Sequence, residues 1–156
     1  MQRMEKKKEI LTDLLKINRD CATSLLDFVR DSSCHSLHIQ HLVNVERDCQ
    51  MELRSHVDIN YGDPADAVQF SGEIYHLWEE QQTGAPASEN DVYTFCENSI
   101  RQLTNAYKKA LMAGAEFPDQ LKRMLYKHIE RVKESLILVL SHHTGPVERK
   151  LVNELN

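Results

Sequence analysis

Turn-forming and aromatic residues are scarce: the 156 residues include 5 Gly and 4 Pro, and aromatics make up 6%. A sandwich or barrel of short strands needs a turn signal roughly every eight to twelve residues and fills its faces with aromatic and β-branched side chains, so an all-β architecture is a poor fit. No run approaches the eighteen or so apolar residues of a membrane span. The charged opening Met1 to Glu9 is not followed by the apolar core of a secretion signal, and a cytoplasmic chain with no membrane partner is expected. Basic charge is also short: 19 Lys and Arg face 24 Asp and Glu, for a net charge of −5. An acidic chain without a basic stripe gives a phosphate backbone little to bind, and nucleic acid is not an expected partner. Cys21, Cys34, Cys49 and Cys96 are scattered with no C-x-x-C pair. A chain of this size does not need disulfide staples, so reduced thiols packed in the core are expected. There is no glycine-tight elbow around a Ser or Cys and no phosphate-cradling loop, so no motif supports an enzyme and no cofactor is expected.

What the chain does have is helical periodicity. Hydrophobic residues are 41% and charged residues 28%, the balance of one soluble folded domain. Ile10, Leu14, Ile17, Cys21, Leu25 and Phe28 recur at steps of three and four, predicting a first helix over about 5–30. After the polar break Asp31-Ser32-Ser33, Leu42, Val45, Cys49 and Leu53 resume the period in a second helix over about 34–59. Gly62 and Pro64 stop it. A long connection follows, with a short helix over about 71–81 and the loop from Thr83 to Ser88. Val92, Cys96, Ser99, Leu103, Ala106 and Ala110 then keep a 4-3-4-3-4 spacing that ends near Gly114. Pro118 suits the first turn of a fourth helix with the stripe Leu121, Leu125, His128, Val132, Leu136 and Val139. The expected organisation is an all-α four-helix bundle over 5–143, with a C-terminal tail over 144–156. Short connections within the first and second pairs, and a long one between them, predict a ferritin-like topology whose crossover contains a short helix.

Several segments, in this order and spacing, also carry a family resemblance. Leu11-Thr-Asp13-Leu14-Leu-Lys-Ile17-Asn18-Arg-Asp20, Gly62-Asp-Pro64-Ala-Asp66, Ser71-Gly-Glu-Ile-Tyr75-His-Leu-Trp78, Cys96-Glu97 and Ala106-Tyr107-Lys-Lys-Ala110-Leu111 resemble an uncharacterised bacterial family of ferritin-like four-helix bundles, classed as a domain of unknown function. The resemblance spans roughly residues 8 to 140 and implies the same fold without implying an activity. It also implies a register, in which Thr23, Ile100 and Leu136 stand where relatives tend to carry metal ligands. A degenerate metal site is therefore the expectation.

A two-metal centre in such a bundle takes a Glu from each of two helices and Glu-x-x-His from each of the other two, since i and i+3 side chains share a face. The single Glu-x-x-His here, Glu73 to His76, lies in the crossover. Helix two offers Glu46-x-x-Cys49 and Glu52-x-x-x-His56, and helix four offers His128. Glu52 and His56 read first as a solvated i,i+4 pair, Cys49 as a packed thiol and His128 as a core histidine. The chemical alternative joins Cys49, Glu52, His56 and His128 in a mixed thiolate, carboxylate and imidazole site of the kind zinc takes. His35, His38 and His41 share a face at the start of helix two, where a surface cluster is expected because no adjacent carboxylate completes a ligand set. Ile74, Tyr75 and Trp78 make an apolar patch that either lids the bundle or joins copies of the chain as a homo-oligomer, in the simplest case a dimer. The expected function is a non-catalytic structural or stress-associated bundle; the alternative is a metal-dependent oxidoreductase of di-iron type or a metal-storage protein.

Overall fold

The computed structural model of the protein describes residues 2–31, 37–64 and 89–141. They form four helices: α1 (Gln2–Asp31), α2 (Leu37–Tyr61), α3 (Glu89–Ala113) and α4 (Asp119–Ser141). Among the described residues there is no strand, as the shortage of turn residues foretold. The expected crossover helix with Glu73 to Trp78, the expected C-terminal tail, His35 and Cys34 lie outside the described residues.

Local chemistry sets the end of α2, the end of α3 and the start of α4. Gly62 follows α2 at φ 95°, a left-handed conformation that a residue without Cβ adopts freely and that turns the chain out of the helix. The α3–α4 turn is closed by Gly114 N–H on the Ala110 carbonyl at 2.8 Å and Phe117 N–H on the Gly114 carbonyl at 2.9 Å. A Cβ on Gly114 would sit 2.0 Å from the Phe117 ring, so glycine is what lets that buried ring close the end of the core. The Pro118 carbonyl then accepts from Lys122 N–H at 3.1 Å and opens α4.

Direction follows from side-chain contacts. Lys8 near the start of α1 lies beside Gly62, so α1 and α2 are antiparallel. Phe28 stacks on Phe95 at 4.5 Å, Cys21 meets Ser99, and Asn18 meets Tyr107, so α3 descends as α1 rises. Glu52 and Asp48 of α2 meet His128 and Arg131 of α4, again antiparallel. Helix α1 therefore packs on α2 and α3, and α4 on the same two. Residue 64 ends beside the start of α1, whereas residue 89 begins beside its end, so the two points lie at opposite ends of the bundle.

The core is a continuous hydrocarbon column, with Leu11, Leu25, Phe28, Leu42, Leu53, Leu103, Leu125 and Leu136 each exposed by 1% or less. Burial of such faces against one another, more than helix propensity, stabilises helices of this length. The inner line of α3 differs from the sequence reading. It runs through Ile100, Leu103 and Tyr107, while Ala106 is only partly buried. In α1, Asn18 is buried and Ile17 is at the margin.

Candidate functional site

Halfway along this column the hydrocarbon gives way to polar groups. Asn18, Glu46, Tyr107 and His128 are each fully buried, one from each helix. The i+4 step from Leu14 brings Asn18 inward, and the same step from Leu42 and Leu103 brings in Glu46 and Tyr107. His128 enters on the stripe between Leu125 and Val132.

Three of the four are chained. The Asn18 side-chain amide donates to the Leu14 carbonyl at 3.0 Å, which leaves its Oδ1 to accept. Tyr107 Oη–H donates to that oxygen at 3.2 Å. The same Oη lies 3.0 Å from His128 Nδ1, with the two rings edge to face. At the far side of the imidazole, Nε2 is 3.3 Å from Glu52 Oε1, but the ring N–H direction misses the oxygen, so this is an approach of charge and not an aligned hydrogen bond. Glu52 is half exposed and His128 is not, so the chain runs from the solvent edge of α2 through α4 and α3 to α1.

Burial governs the protonation of these groups. It pushes His128 below its ordinary 6.5, the carboxylate of Glu52 opposes that shift, and Arg131 and Lys127 add to it. It pushes Tyr107 well above its ordinary value, with Asn18 pulling the other way. Glu46 is the outlier: neither carboxyl oxygen has a partner, and burial alone raises it to about 8. At neutral pH it is largely a protonated acid, because an unpaired charge there would cost several kcal/mol. Burial likewise lifts Cys49 to about 12 and Cys21 well above its usual range, so both are thiols; Cys21 donates to the Ser99 carbonyl at 3.4 Å. Cys21, Cys49 and Cys96 are buried thiols outside any disulfide, as the scattered spacing suggested.

Of the four residues weighed as a mixed metal site, two come together. Glu52 meets His128 across the α2–α4 seam, and Cys49 lies within electrostatic reach of Glu52. His56 does not join them: its Nδ1 faces the Asn60 amide at 3.4 Å and its ring faces Tyr61 at 6.1 Å. The solvated Glu52–His56 pair read from the sequence is thus replaced by a contact to another helix, because Glu52 reaches His128 Nε2, the ring nitrogen that has no hydrogen-bond partner. Among the described residues no group of three or more His, Cys, Asp or Glu is arranged to hold a metal ion. Thr23 is half-buried, and Ile100 and Leu136 are fully buried hydrocarbon. His41 is exposed and His38 half-buried at the start of α2.

Sequence reasoning missed Asn18 and Tyr107. Their signal was present as polar residues on the i+4 line from Leu14 and Leu103, obscured because Ile17 and Ala106 fit the stripe by hydropathy alone. Glu46 was seen as part of a ligand pattern but not as a core residue, since an acid on an apolar stripe is read outward by default. No described helix is long and apolar enough to cross a membrane. Compared with known families, curated proteins and solved structures, the chain matches none of them.

Proposed function

We propose that this protein is a ferritin-like bundle with a non-catalytic structural or stress-associated role, in which a hydrogen-bonded chain and hydrocarbon stand where relatives of this topology would hold a metal pair. The observation that carries the reading is that the central polar groups bond one another: Asn18, Tyr107 and His128 are held by side-chain hydrogen bonds across α1, α3 and α4. Ile100 and Leu136, at the register matched to ligand positions, are packed hydrocarbon and offer no donor atom. The opposite-end placement of residues 64 and 89 supports the crossover topology. Among the described residues no group of side chains fits a two-metal centre.

A bound metal stabilises the native state by mass action. Chelator treatment of protein purified without chelators is therefore expected to leave the melting temperature unchanged, with elemental analysis showing no stoichiometric iron, manganese or zinc. A fall of many degrees, restored by one metal, would favour the metal-handling alternative, for which the partnerless carboxyl of Glu46 is the supporting feature.

A further inference from the structure

The chain through the bundle centre is short of one hydrogen. Three contacts lie in series: Glu52 Oε1 to His128 Nε2, His128 Nδ1 to Tyr107 Oη, and Tyr107 Oη to Asn18 Oδ1. Each needs one hydrogen between its two heavy atoms. Asn18 supplies none, because its amide is turned to the Leu14 carbonyl. Tyr107 supplies one and gives it to Asn18. A neutral imidazole supplies one more, on one nitrogen or the other. With the tyrosine hydrogen committed, the ring hydrogen belongs on Nδ1, where Tyr107 Oη accepts it, and Nε2 is left as a bare lone pair toward Glu52. A buried Nε2 without a hydrogen-bond partner is in keeping with that tautomer.

We propose that His128 Nε2 is a proton-binding site at the outer end of this chain: the neutral ring is held as the Nδ1–H tautomer, and one proton taken up at Nε2 pairs the ring with the Glu52 carboxylate, linking one residue of each helix. The added proton comes from solvent and stays on Nε2, where the charged ring pairs with the Glu52 carboxylate 3.3 Å away and ties α2 to α4. No other bond forms or breaks. The bonds from His128 Nδ1–H to Tyr107 and from Tyr107 to Asn18 are kept, so the proton joins Glu52 to an existing line.

The surrounding groups set where this happens. From α2, Glu52 attracts the proton, while Glu46 and Cys49 are held neutral by burial. From α3 and α1, Tyr107 and Cys21 are neutral for the same reason, and Asn18 carries no charge. From α4 itself, Arg131 and Lys127 repel the proton, and Asp48 of α2 lies 3.6 Å from Arg131 and offsets part of that repulsion. Burial is the largest influence, so uptake falls on the acid side of 6.5. By linkage, the stability the neutral ring contributes is complete above 6.5 and is lost as pH falls through the lower folded value. Acidification therefore closes the chain locally while lowering overall stability.

Two-bond proton–nitrogen correlation spectra of the full chain, with His128 assigned by its loss in His128→Asn, read both parts of the proposal. The expected result is an Nδ1–H tautomer at about pH 7.5 and a single transition below 6.5. Glu52→Gln, at a half-exposed position that tolerates the change, should lower the midpoint by about one pH unit and leave the tautomer as it is. Tyr107→Phe should release the ring to the ordinary tautomer mixture. An Nε2–H tautomer at neutral pH, or a midpoint unmoved by Glu52→Gln, would overturn the proposal.

Discussion

Across the α1–α3 seam the contacts are ring on ring, thiol on carbonyl and phenol on amide, whereas across the α2–α4 seam they are carboxylate against imidazole and guanidinium. These contacts across the first seam join neutral, buried groups. The second carries charge at a half-exposed margin, with Asp48 64% and Arg131 34% exposed. Both bury hydrocarbon, so the difference lies in what else they respond to: the neutral seam to loss of volume, the charged seam to pH and salt.

The largest effect is expected where the neutral seam loses volume. Phe28→Ala removes a stacked, buried ring and should lower stability by about 3–5 kcal/mol, measured by denaturant unfolding. A loss under about 1 kcal/mol would mean that the seam is not the structural spine.

Glu46 lies between the seams and gives the next effect. Its folded value of about 8 lies above the 4.5 of an exposed carboxyl, so the stability contributed by the neutral acid is complete below 4.5 and lost as pH rises through about 8. Glu46→Gln does not titrate. Its stability relative to the native chain should therefore rise by on the order of 3 kcal/mol between pH 5 and pH 8.5, and an unchanging difference would show that the carboxyl has found a partner.

Tyr107→Phe removes the hydroxyl that both Asn18 and His128 use, leaving two buried polar groups without their partner. The expected cost is about 1–3 kcal/mol by thermal or chemical denaturation. At the charged margin, Asp48→Asn should cost less than about 1 kcal/mol and lose even that in high salt, because exposed ion pairs are screened. A salt-insensitive loss would erase the contrast between the seams.

Four helices and the long connection between the second and third were legible in the sequence, because hydropathy at steps of three and four reports which face is buried. The centre was less legible. Periodicity located His128 on the core stripe, yet the residues it bonds are set by where antiparallel helices bring α3 and α1 into line, with Tyr107 and Asn18 separated by 89 positions. Glu52 illustrates the same limit: its spacing to His56 suggested a partner within α2, and its observed partner lies in α4. Local spacing carries no information about such pairs, and with no internal repeat to transfer a register, a lone sequence cannot supply it.

The directions of the helices have a kinetic consequence. Helix α1 with α2, and α3 with α4, are antiparallel pairs adjacent in the chain, whereas the contacts across the seams that join one pair to the other connect residues 67 to 89 positions apart. Local contacts form before distant ones because less loop entropy must be overcome, so the docking of the two pairs is the expected rate-limiting event in folding. A chain severed between residues 64 and 89 would yield two pieces, each with an apolar face and no partner for it, and mixing them should restore the bundle as a reconstituted complex.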